Sequence, residues 1–295
     1  MTEPESAHDE TPTLAPLPRF VVHEIVVRAL LEDLGRGDLT TDACVPAGTV
    51  GEAELVARVP LVCAGLGVFR AVFAEVDPDV DVSFEADDGD RMARGARVAV
   101  VRGAAGSILK AERVALNFVQ RMSGVATRTR ALVDALPRGS TTRITDTRKT
   151  TPGLRLLEKA AVRAGGGVNH RIGLWDQLLV KNNHIDVAGG VARATRAALA
   201  AYPGLPLEVE CRTVAEIDEA LGAGATRLLL DNMTPDELRA AVVHVAGRAT
   251  LEASGGVTLA TVRDVAATGV QFVSVGALTH SAPALDLSLK LEPLP

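Results

Sequence analysis

The second half of the chain alternates short strand-like runs with helical stretches from residue 141 onward. Strands that alternate with helices at intervals of roughly 20 to 35 residues form parallel sheets with crossover helices, so the fold class is α/β. A doubly wound sheet usually has a Gly-rich loop after its first strand, and none follows here, so the pattern favours a β/α barrel. The strands are predicted at 141–145, 178–181, 207–211, 227–231, 249–253 and 271–275. Apolar residues at helical spacing predict helices at 153–164, 187–201, 213–222, 234–247 and 258–268.

The region before residue 141 has a different organisation, with a few strands among helices and little dense chemistry. A tight Gly-rich loop is expected at 35–42, and a long helical stretch at 108–137 with an interruption at Ser123-Gly124. The other elements expected are helices at 20–35 and 65–76 and strands at 51–59, 80–86 and 97–102.

Charge is unevenly distributed along the chain. The whole protein of 295 residues has a net charge of −6, whereas the stretch from Arg143 to Lys181 has eight Lys or Arg against three acids. A positive segment in an acidic protein indicates a bound small anion rather than nucleic acid, which usually needs a basic face. The low aromatic content of 3% also argues against a surface on which bases stack.

The remaining composition bears on the class of protein. The hydrophobic content of 47% is enough for a large core, which at this length predicts two domains. The cysteines Cys44, Cys63 and Cys211 have no metal-ligand spacing, which predicts reduced thiols and a cytoplasmic location. No membrane span or signal peptide is expected, and the acids and four prolines of Met1 to Pro18 predict a disordered tail.

Polar residues follow nearly every predicted strand of the second half. Six consecutive strands that end in such residues are the distribution that an active site at the carboxyl-end mouth of a β/α barrel produces. These residues are Asp146, Arg148 and Lys149, then Lys181 to His184, then Glu208 and Glu210, then Asp231 and Asn232, then Glu252 and Ser254 to Gly256, and finally Gly276.

The octapeptide Asp-Thr-Arg-Lys-Thr-Thr-Pro-Gly at 146–153 is the densest of these strand ends. Arg148 offers a planar fork for a carboxylate or phosphate, and Lys149 adds a point charge beside it. A solvated basic turn would explain the octapeptide alone equally well.

Together the motifs closely resemble the quinolinate phosphoribosyltransferase family, from about residue 20 to the C-terminus. The octapeptide combined with Gly165 to Arg171 is the most specific part of the resemblance. One departure is visible: the family commonly has Lys-Asp-Asn-His where this chain has Lys181-Asn-Asn-His184. The other matching segments are Glu112-Arg113, Ala115 to Phe118, Met122 to Gly124, Glu208 to Glu210, Leu230 to Asn232 and Ser254 to Gly256.

The resemblance implies a reaction and an architecture. Quinolinate and phosphoribosyl pyrophosphate would give nicotinate mononucleotide, pyrophosphate and CO2 with Mg²⁺, in de novo NAD biosynthesis. The fold would be an N-terminal α/β sandwich at 19–122, joined by 284–295, and an incomplete seven-stranded β/α barrel at 123–283. The assembly would be a homodimer or a higher oligomer, in which the N-terminal domain of one subunit closes the barrel of the other.

The resemblance also implies a cationic set that binds the two carboxylates of quinolinate. This set is Arg148, Lys149, His170 and Arg171, with Arg113 contributed by the partner subunit, and Thr147 is a further predicted substrate-binding residue. From the sequence alone, a surface ion pair would explain Arg113 better, and a hydrogen-bonded structural role would be the more frequent one for His170.

Carboxylates would stabilise the positive charge that develops on the ribose as pyrophosphate leaves, and would help to hold Mg²⁺. Glu210 and Asp231, at successive strand ends, suit this role, and Lys149 and Lys181 complete the predicted catalytic set. Glu208 is in phase with Glu210, but an ion pair inside the barrel is its alternative. His184 is expected to order the Lys181 loop or to have a further role.

Backbone amides after the last strands would bind the 5-phosphate of the ribose donor. The predicted phosphate site consists of Ser254, Gly255 and Gly256, which precede a helix from Thr258, and of Val275, Gly276 and Ala277. A pair of tight turns is the alternative interpretation.

Three other functions fit parts of the pattern. A barrel lyase could use Lys149 or Lys181 as a Schiff base, but the carboxylate pair would then have no task. A sensor of phosphoribosyl compounds would not need Glu210 and Asp231 together. The nearest rival is the paralogous phosphoribosyltransferase of molybdenum-transport operons, against which the Thr-Arg-Lys-Thr and Asn-His-Arg segments argue.

Overall fold

The computed structural model describes residues 17–294, so the predicted tail at 1–18 lies outside it except for Leu17 and Pro18. The N-terminal region forms a four-stranded antiparallel sheet in the order β12-β1-β5-β3. Its elements are α1 (Arg19–Leu34), α2 (Leu39–Cys44), β1 (Val50–Ala57), β2 (Leu61–Val62), α3 (Leu66–Val76), β3 (Asp81–Phe84), β4 (Arg91–Met92), β5 (Arg97–Ala104), α4 (Ala105–Asp134) and, from the other end of the chain, β12 (Leu287–Pro293).

Alternation along β1 explains how this sheet buries one face. Ala53, Leu55 and Ala57 are fully buried, while the residues between them are partly exposed. Phe69 and Phe73 of α3 are also fully buried, and their ring centroids lie 5.0 Å apart. Helices α1, α3 and α4 pack together beside this sheet, so the N-terminal core is a sheet covered by helices.

Helix α4 runs without a break from Ala105 to Asp134, so the predicted interruption at Ser123-Gly124 is wrong. Both residues serve packing instead. The Ser123 hydroxyl accepts a hydrogen bond from the Ala64 amide at 3.1 Å. A Cβ on Gly124 would lie 1.8 Å from the carbonyl oxygen of Pro283, so glycine is required for this close approach.

The C-terminal half forms a six-stranded parallel sheet in the order β6-β11-β10-β9-β8-β7. A single parallel bridge between Thr145 and Val168 adds a seventh position beside β6, and among residues 17–294 the edge of β7 away from β8 has no strand partner. The curved sheet is therefore an incomplete barrel. Its elements are β6 (Arg143–Thr145), α5 (Arg155–Ala164), β7 (Leu178–Val180), α6 (Asn182–Ala188), α7 (Val191–Ala201), β8 (Leu207–Cys211), α8 (Val214–Gly222), β9 (Arg227–Asp231), α9 (Pro235–Val245), β10 (Thr250–Ser254), α10 (Val262–Ala266), β11 (Phe272–Ser274) and α11 (Ala277–His280).

Three helices differ from the sequence expectation. The helix predicted at 187–201 is two helices, because Gly189 and Gly190 have φ of 81° and 128°, which a helix cannot continue through. The loop predicted at 35–42 contains the start of α2, where the Asp38 carboxylate caps the amides of Thr40 and Thr41. The helix predicted at 258–268 is shortened to α10.

The described part of the chain has no helix that is both long and apolar enough to span a membrane.

Candidate active site

A pocket of about 320 Å³ lies at the carboxyl ends of the parallel strands. Nine of the predicted site residues line it, and they come from five of the six strand ends and from the segment after Val168. The predicted lining residues are Thr147, Arg148, Lys149, His170, Arg171, Lys181, Glu210, Asp231 and Ser254. A larger cavity of about 930 Å³ lies between α1, α3 and α5, but none of the strand-end residues lines it.

The other predicted site residues lie near this pocket or away from it. Gly276 follows β11 and lies against Lys149, since a Cβ there would be 2.9 Å from the Lys149 side chain. Gly255 packs against Asn232 in the same way. Val275 and Ala277 flank Gly276, and the Val275 amide donates to Thr145 O at 3.0 Å. Arg113 is exposed on α4 and does not line this pocket in its own chain.

One side of the pocket, formed by Arg148, Lys149, His170 and Arg171, is called the cationic side here. Arg171 is almost fully buried, and its guanidinium donates to Gln177 O at 3.1 Å. Burial, with the nearby Arg148 as a second cause, lowers the pKa of Arg171. Among residues 17–294, the buried Nε of Arg148 has no hydrogen-bond partner. The cationic side therefore has unused capacity to bind an anion.

The floor of the pocket contains a buried group of alternating charge, the floor cluster: His170, Glu208, Arg227 and Glu252. Arg227 binds Glu208 Oε1 at 3.1 Å and Glu252 Oε2 at 2.9 Å. Glu208 therefore forms an ion pair inside the barrel, which was the alternative to a role beside Glu210. The carboxylates of this cluster lie close enough to His170 to hold a metal ion. Arg227 pairs with both carboxylates, so each already has a cationic partner and the floor cluster is a structural ion network.

Both ring nitrogens of His170 have hydrogen-bond partners. Its Nε2 lies 2.8 Å from Glu208, and its Nδ1 accepts the Arg171 amide hydrogen at 2.8 Å. Burial lowers the pKa of His170, but the carboxylates of Glu252 and Glu208 outweigh this effect, so the pKa is raised. Both ring nitrogens are therefore engaged within the protein, and the Arg171 amide fixes the orientation of the ring.

Glu210 and Asp231 form the opposite side of the pocket, called the anionic side here. Glu210 is 8% exposed, and burial followed by repulsion from Asp231 raises its pKa. The backbone amide of Asn182, at the start of α6, donates to Glu210. Asp231 accepts a hydrogen bond at 2.9 Å from the side-chain amide of Asn232. Two carboxylates that repel each other at the mouth of a pocket are suited to bind a cation.

Lys181 also lines the pocket and is exposed. The Lys181 amide donates to Nδ1 of His184 at 2.9 Å, a contact of the kind expected if His184 orders this loop. The Asn182 side-chain oxygen is buried and, within the described residues, has no hydrogen-bond partner.

The predicted phosphate site differs in one respect from the expectation. The helix expected from Thr258 begins only at Val262, so no helix N-terminus directly follows Gly256. Instead, Gly255 and Gly256 have φ of 102° and 60°, a backbone that favours glycine. Helix α11, which begins directly after Gly276, is the helix start nearest to the predicted phosphate residues.

Four lining residues were not predicted as site residues. Glu252 is predicted only as a strand-end residue, whereas Leu179, Leu229 and Ser274 belong to neither predicted set. All four stand two positions before a predicted site residue, as Leu179 does before Lys181 and Ser274 before Gly276. Because side chains alternate along a strand, residues two apart face the same side, and this periodicity could have found them.

The fold and the pocket define an α/β enzyme of the barrel type, with a pocket of charged residues at the carboxyl ends of its strands. Comparisons with known proteins identify the family. The models of quinolinate phosphoribosyl transferase match residues 38–123 with the N-terminal domain and residues 125–290 with the C-terminal domain. This chain belongs to the quinolinate phosphoribosyltransferase family.

Individual relatives agree with this assignment. Nicotinate-nucleotide pyrophosphorylase (carboxylating) from Mycobacterium leprae is 47% identical over 275 residues, which cover 91% of this chain and 96% of the relative. Quinolinate phosphoribosyltransferase (decarboxylating) 1b from Nicotiana tabacum is 42% identical over 295 residues, covering 93% of this chain and 83% of the relative. The crystal structure of NadC from Streptococcus pyogenes superposes with a TM-score of 0.92 at 40% identity, covering 96% of this chain and 100% of that chain.

Proposed function

We propose that this protein transfers the phosphoribosyl group of phosphoribosyl pyrophosphate to quinolinate, releasing pyrophosphate and CO2 and giving nicotinate mononucleotide for NAD biosynthesis. The observation that carries the proposal is the division of one pocket into a cationic and an anionic side. A dicarboxylate matches the first side, and a ribose that becomes positive matches the second.

The cationic side binds the two carboxylates of quinolinate. Arg171 and Arg148 present planar guanidinium groups, which hold a carboxylate in one orientation better than an ammonium group does. The buried, unpaired Nε of Arg148 supports this role, because an anion would supply its partner. Lys149 adds charge from the exposed rim.

The anionic side acts on the ribose. Departure of pyrophosphate leaves positive charge around the anomeric carbon, and the carboxylates of Glu210 and Asp231 stabilise that charge. Both carboxylates would also hold Mg²⁺, which when bound neutralises the pyrophosphate as it leaves. The raised pKa of Glu210, caused by burial and by Asp231, supports this fit because a divalent cation would relieve the repulsion.

The phosphates of the ribose donor bind beside the anionic side. Ser254, Gly255 and Gly256 follow β10, and no hydrogen bond among residues 17–294 uses the amide of Gly255 or Gly256. These amides, with those of Gly276 and Ala277, would bind the 5-phosphate. Lys181 would bind the pyrophosphate that leaves.

Loss of CO2 then needs little from the protein. The ring nitrogen becomes cationic once it is ribosylated, so the electron pair left at the neighbouring carbon is stabilised as the C–C bond breaks, and this carbon then takes up one proton from solvent. Arg171 and His170 would hold the ring in place.

The proposal is tested by pyrophosphate release from purified protein with phosphoribosyl pyrophosphate and Mg²⁺. Pyrophosphate and CO2 should appear in equal amounts with quinolinate, and far less pyrophosphate should appear with nicotinate, which lacks the carboxylate that is lost. Activity that does not depend on quinolinate would contradict the proposal and favour a paralogous phosphoribosyltransferase.

We also propose a homodimer in which Arg113 completes the site of the partner subunit. Its exposure on α4, away from the pocket of its own chain, supports this arrangement. Inactive Arg113→Ala and inactive Arg148→Ala proteins, once mixed, should regain partial activity, because hybrid dimers contain one intact site. Subunit exchange is verified by mass spectrometry of differently tagged chains. Exchange without any recovery would exclude a contribution of Arg113 in trans.

A cytoplasmic location belongs to the same proposal. The three cysteines are free, as a reducing compartment would keep them.

A further inference from the structure

Behind the cationic side lies a set of buried polar side chains, the Asp146 network, formed by Asp146, Lys159 and Asn169. Asp146 and Lys159 are completely buried and form an ion pair. Asn169 donates from Nδ2 to Asp146 Oδ2 at 2.6 Å and to Lys159 O at 2.9 Å. None of the three lines the pocket, so the network cannot touch a bound ligand directly.

The Asp146 network joins two segments that are distant in sequence. Asp146 directly precedes Thr147, Arg148 and Lys149, and its Oδ1 accepts the His170 amide hydrogen at 2.9 Å. The ammonium group of Lys159, on α5, donates to His170 O at 2.9 Å. The N–H and the C=O of His170 are thus both held by the Asp146–Lys159 ion pair, which links the segment of Arg148 to the segment of Arg171.

The energetics of the ion pair do not favour a role in stability alone. Burial raises the pKa of Asp146 and lowers that of Lys159, so removal from water disfavours the charged form of both residues. The attraction between the two charges offsets part of this cost. A buried ion pair often contributes no more to stability than apolar residues of similar shape would. What apolar residues could not do is direct hydrogen bonds to the peptide groups of His170.

We propose that Asp146 and Lys159 are positioning residues for quinolinate, whose ion pair sets the spacing of the two segments that bind its carboxylates. The inference rests on the proposed function, since it assumes quinolinate as the ligand. Neither residue contacts the substrate. Both act through Arg148, His170 and Arg171.

The experiment uses the double variant Asp146→Asn/Lys159→Met. It removes both charges together and leaves no single buried charge, while it keeps an acceptor oxygen for the His170 amide. It loses the ammonium group that holds His170 O. The Michaelis constant for quinolinate should rise tenfold or more, and that for phosphoribosyl pyrophosphate should stay within about twofold.

A matched control separates positioning from loss of stability. Leu238 is buried in α9, away from the pocket. Leu238→Ala should lower the melting temperature without changing the Michaelis constant for quinolinate. If the double variant, compared at a temperature where both variants are folded, kept the parent constant for quinolinate, the positioning role would be wrong.

Two further measurements distinguish a failure of the positioning role from a failure to fold and from a failure of the proposed function. If the double variant does not fold, Asn169→Ala serves instead, because it removes two hydrogen bonds of the network and leaves both charges in place. It should also raise the quinolinate constant selectively, and equal changes for both substrates would overturn the proposal. A parent protein without quinolinate-dependent activity would overturn the proposed function instead.

Discussion

The two sides of the pocket are built in different ways. The cationic side is supported from behind by the Asp146 network, whose members are almost completely buried, and by the floor cluster, in which the side chain of Arg227 is 15% exposed. The anionic side has fewer contacts: Glu210 is bonded by one backbone amide, and Asp231 by the side chain of its neighbour Asn232. Thus His170 and Arg171 are held by hydrogen bonds, whereas the carboxylates repel each other and face the opening.

This difference matches two kinds of task. A stable planar dicarboxylate is bound best by groups that are already in place, because ordering them at the time of binding would cost free energy. Charge that appears only during the reaction is stabilised best by groups that interact weakly with the ground state. The comparison therefore predicts that changes on the cationic side affect binding, and that changes on the anionic side affect turnover.

The largest effect is expected on the anionic side. Glu210→Gln and Asp231→Asn keep the shape of each side chain but remove its charge, so turnover should fall by about a hundredfold or more. Quinolinate binding, measured by calorimetry, should weaken little or should tighten, because a negative charge near an anionic ligand is lost. Loss of quinolinate binding with turnover retained would mean that the two sides have been assigned the wrong tasks.

A smaller effect is expected on the cationic side. Arg171→Ala removes a charged hydrogen-bond donor worth about 1.5–3 kcal/mol, so the Michaelis constant for quinolinate should rise by about ten- to a hundredfold. Turnover at saturating quinolinate should change much less, and steady-state kinetics with each substrate varied in turn will measure both. A variant that loses turnover and keeps its Michaelis constant would contradict this assignment.

A still smaller effect is expected at Asn182, the one visible departure from the family pattern. Asn182 contacts Glu210 through its backbone amide, which the change Asn182→Asp retains. Turnover should therefore stay within a few-fold of the parent, below the ~1.4 kcal/mol of a tenfold change. A large gain or loss in the same kinetic assay would instead indicate that the added charge acts on Lys181 or on Mg²⁺.

The smallest effect concerns Cys211, which directly follows Glu210 and reports on whether the anionic side opens. Burial, more than the nearby acids, raises the pKa of Cys211 and of Cys63 to about 12, whereas Cys44 is exposed. At pH 8 a thiol reagent should therefore modify one cysteine quickly in the native protein and three after denaturation. Fast modification of Cys211 in the native protein would show that β8 opens.

Much of the fold could be predicted because its signals are local. Apolar periodicity gave the strands and most helices of the second half, and polar strand ends gave the position of the pocket. Alternation of strands with helices also gave the parallel sheet, since such units have few alternative arrangements. The continuous α4 could not be predicted, because Ser123 and Gly124 are explained by contacts with Ala64 and Pro283.

In the candidate site, too, some features have local sequence signals and others depend on tertiary contacts. The sequence by itself determined which chemical groups follow the strands, among them Arg148, Glu210 and Asp231, because a strand end carries its residues to the barrel mouth wherever the strand lies. Only the tertiary structure decided which buried groups hold them. In the sequence, Lys159 is an ordinary helix residue and Arg227 begins a strand. In the folded structure, each lies within hydrogen-bonding distance of a carboxylate. Such pairs form because a charge removed from water needs a partner, and its partner can come from any part of the chain.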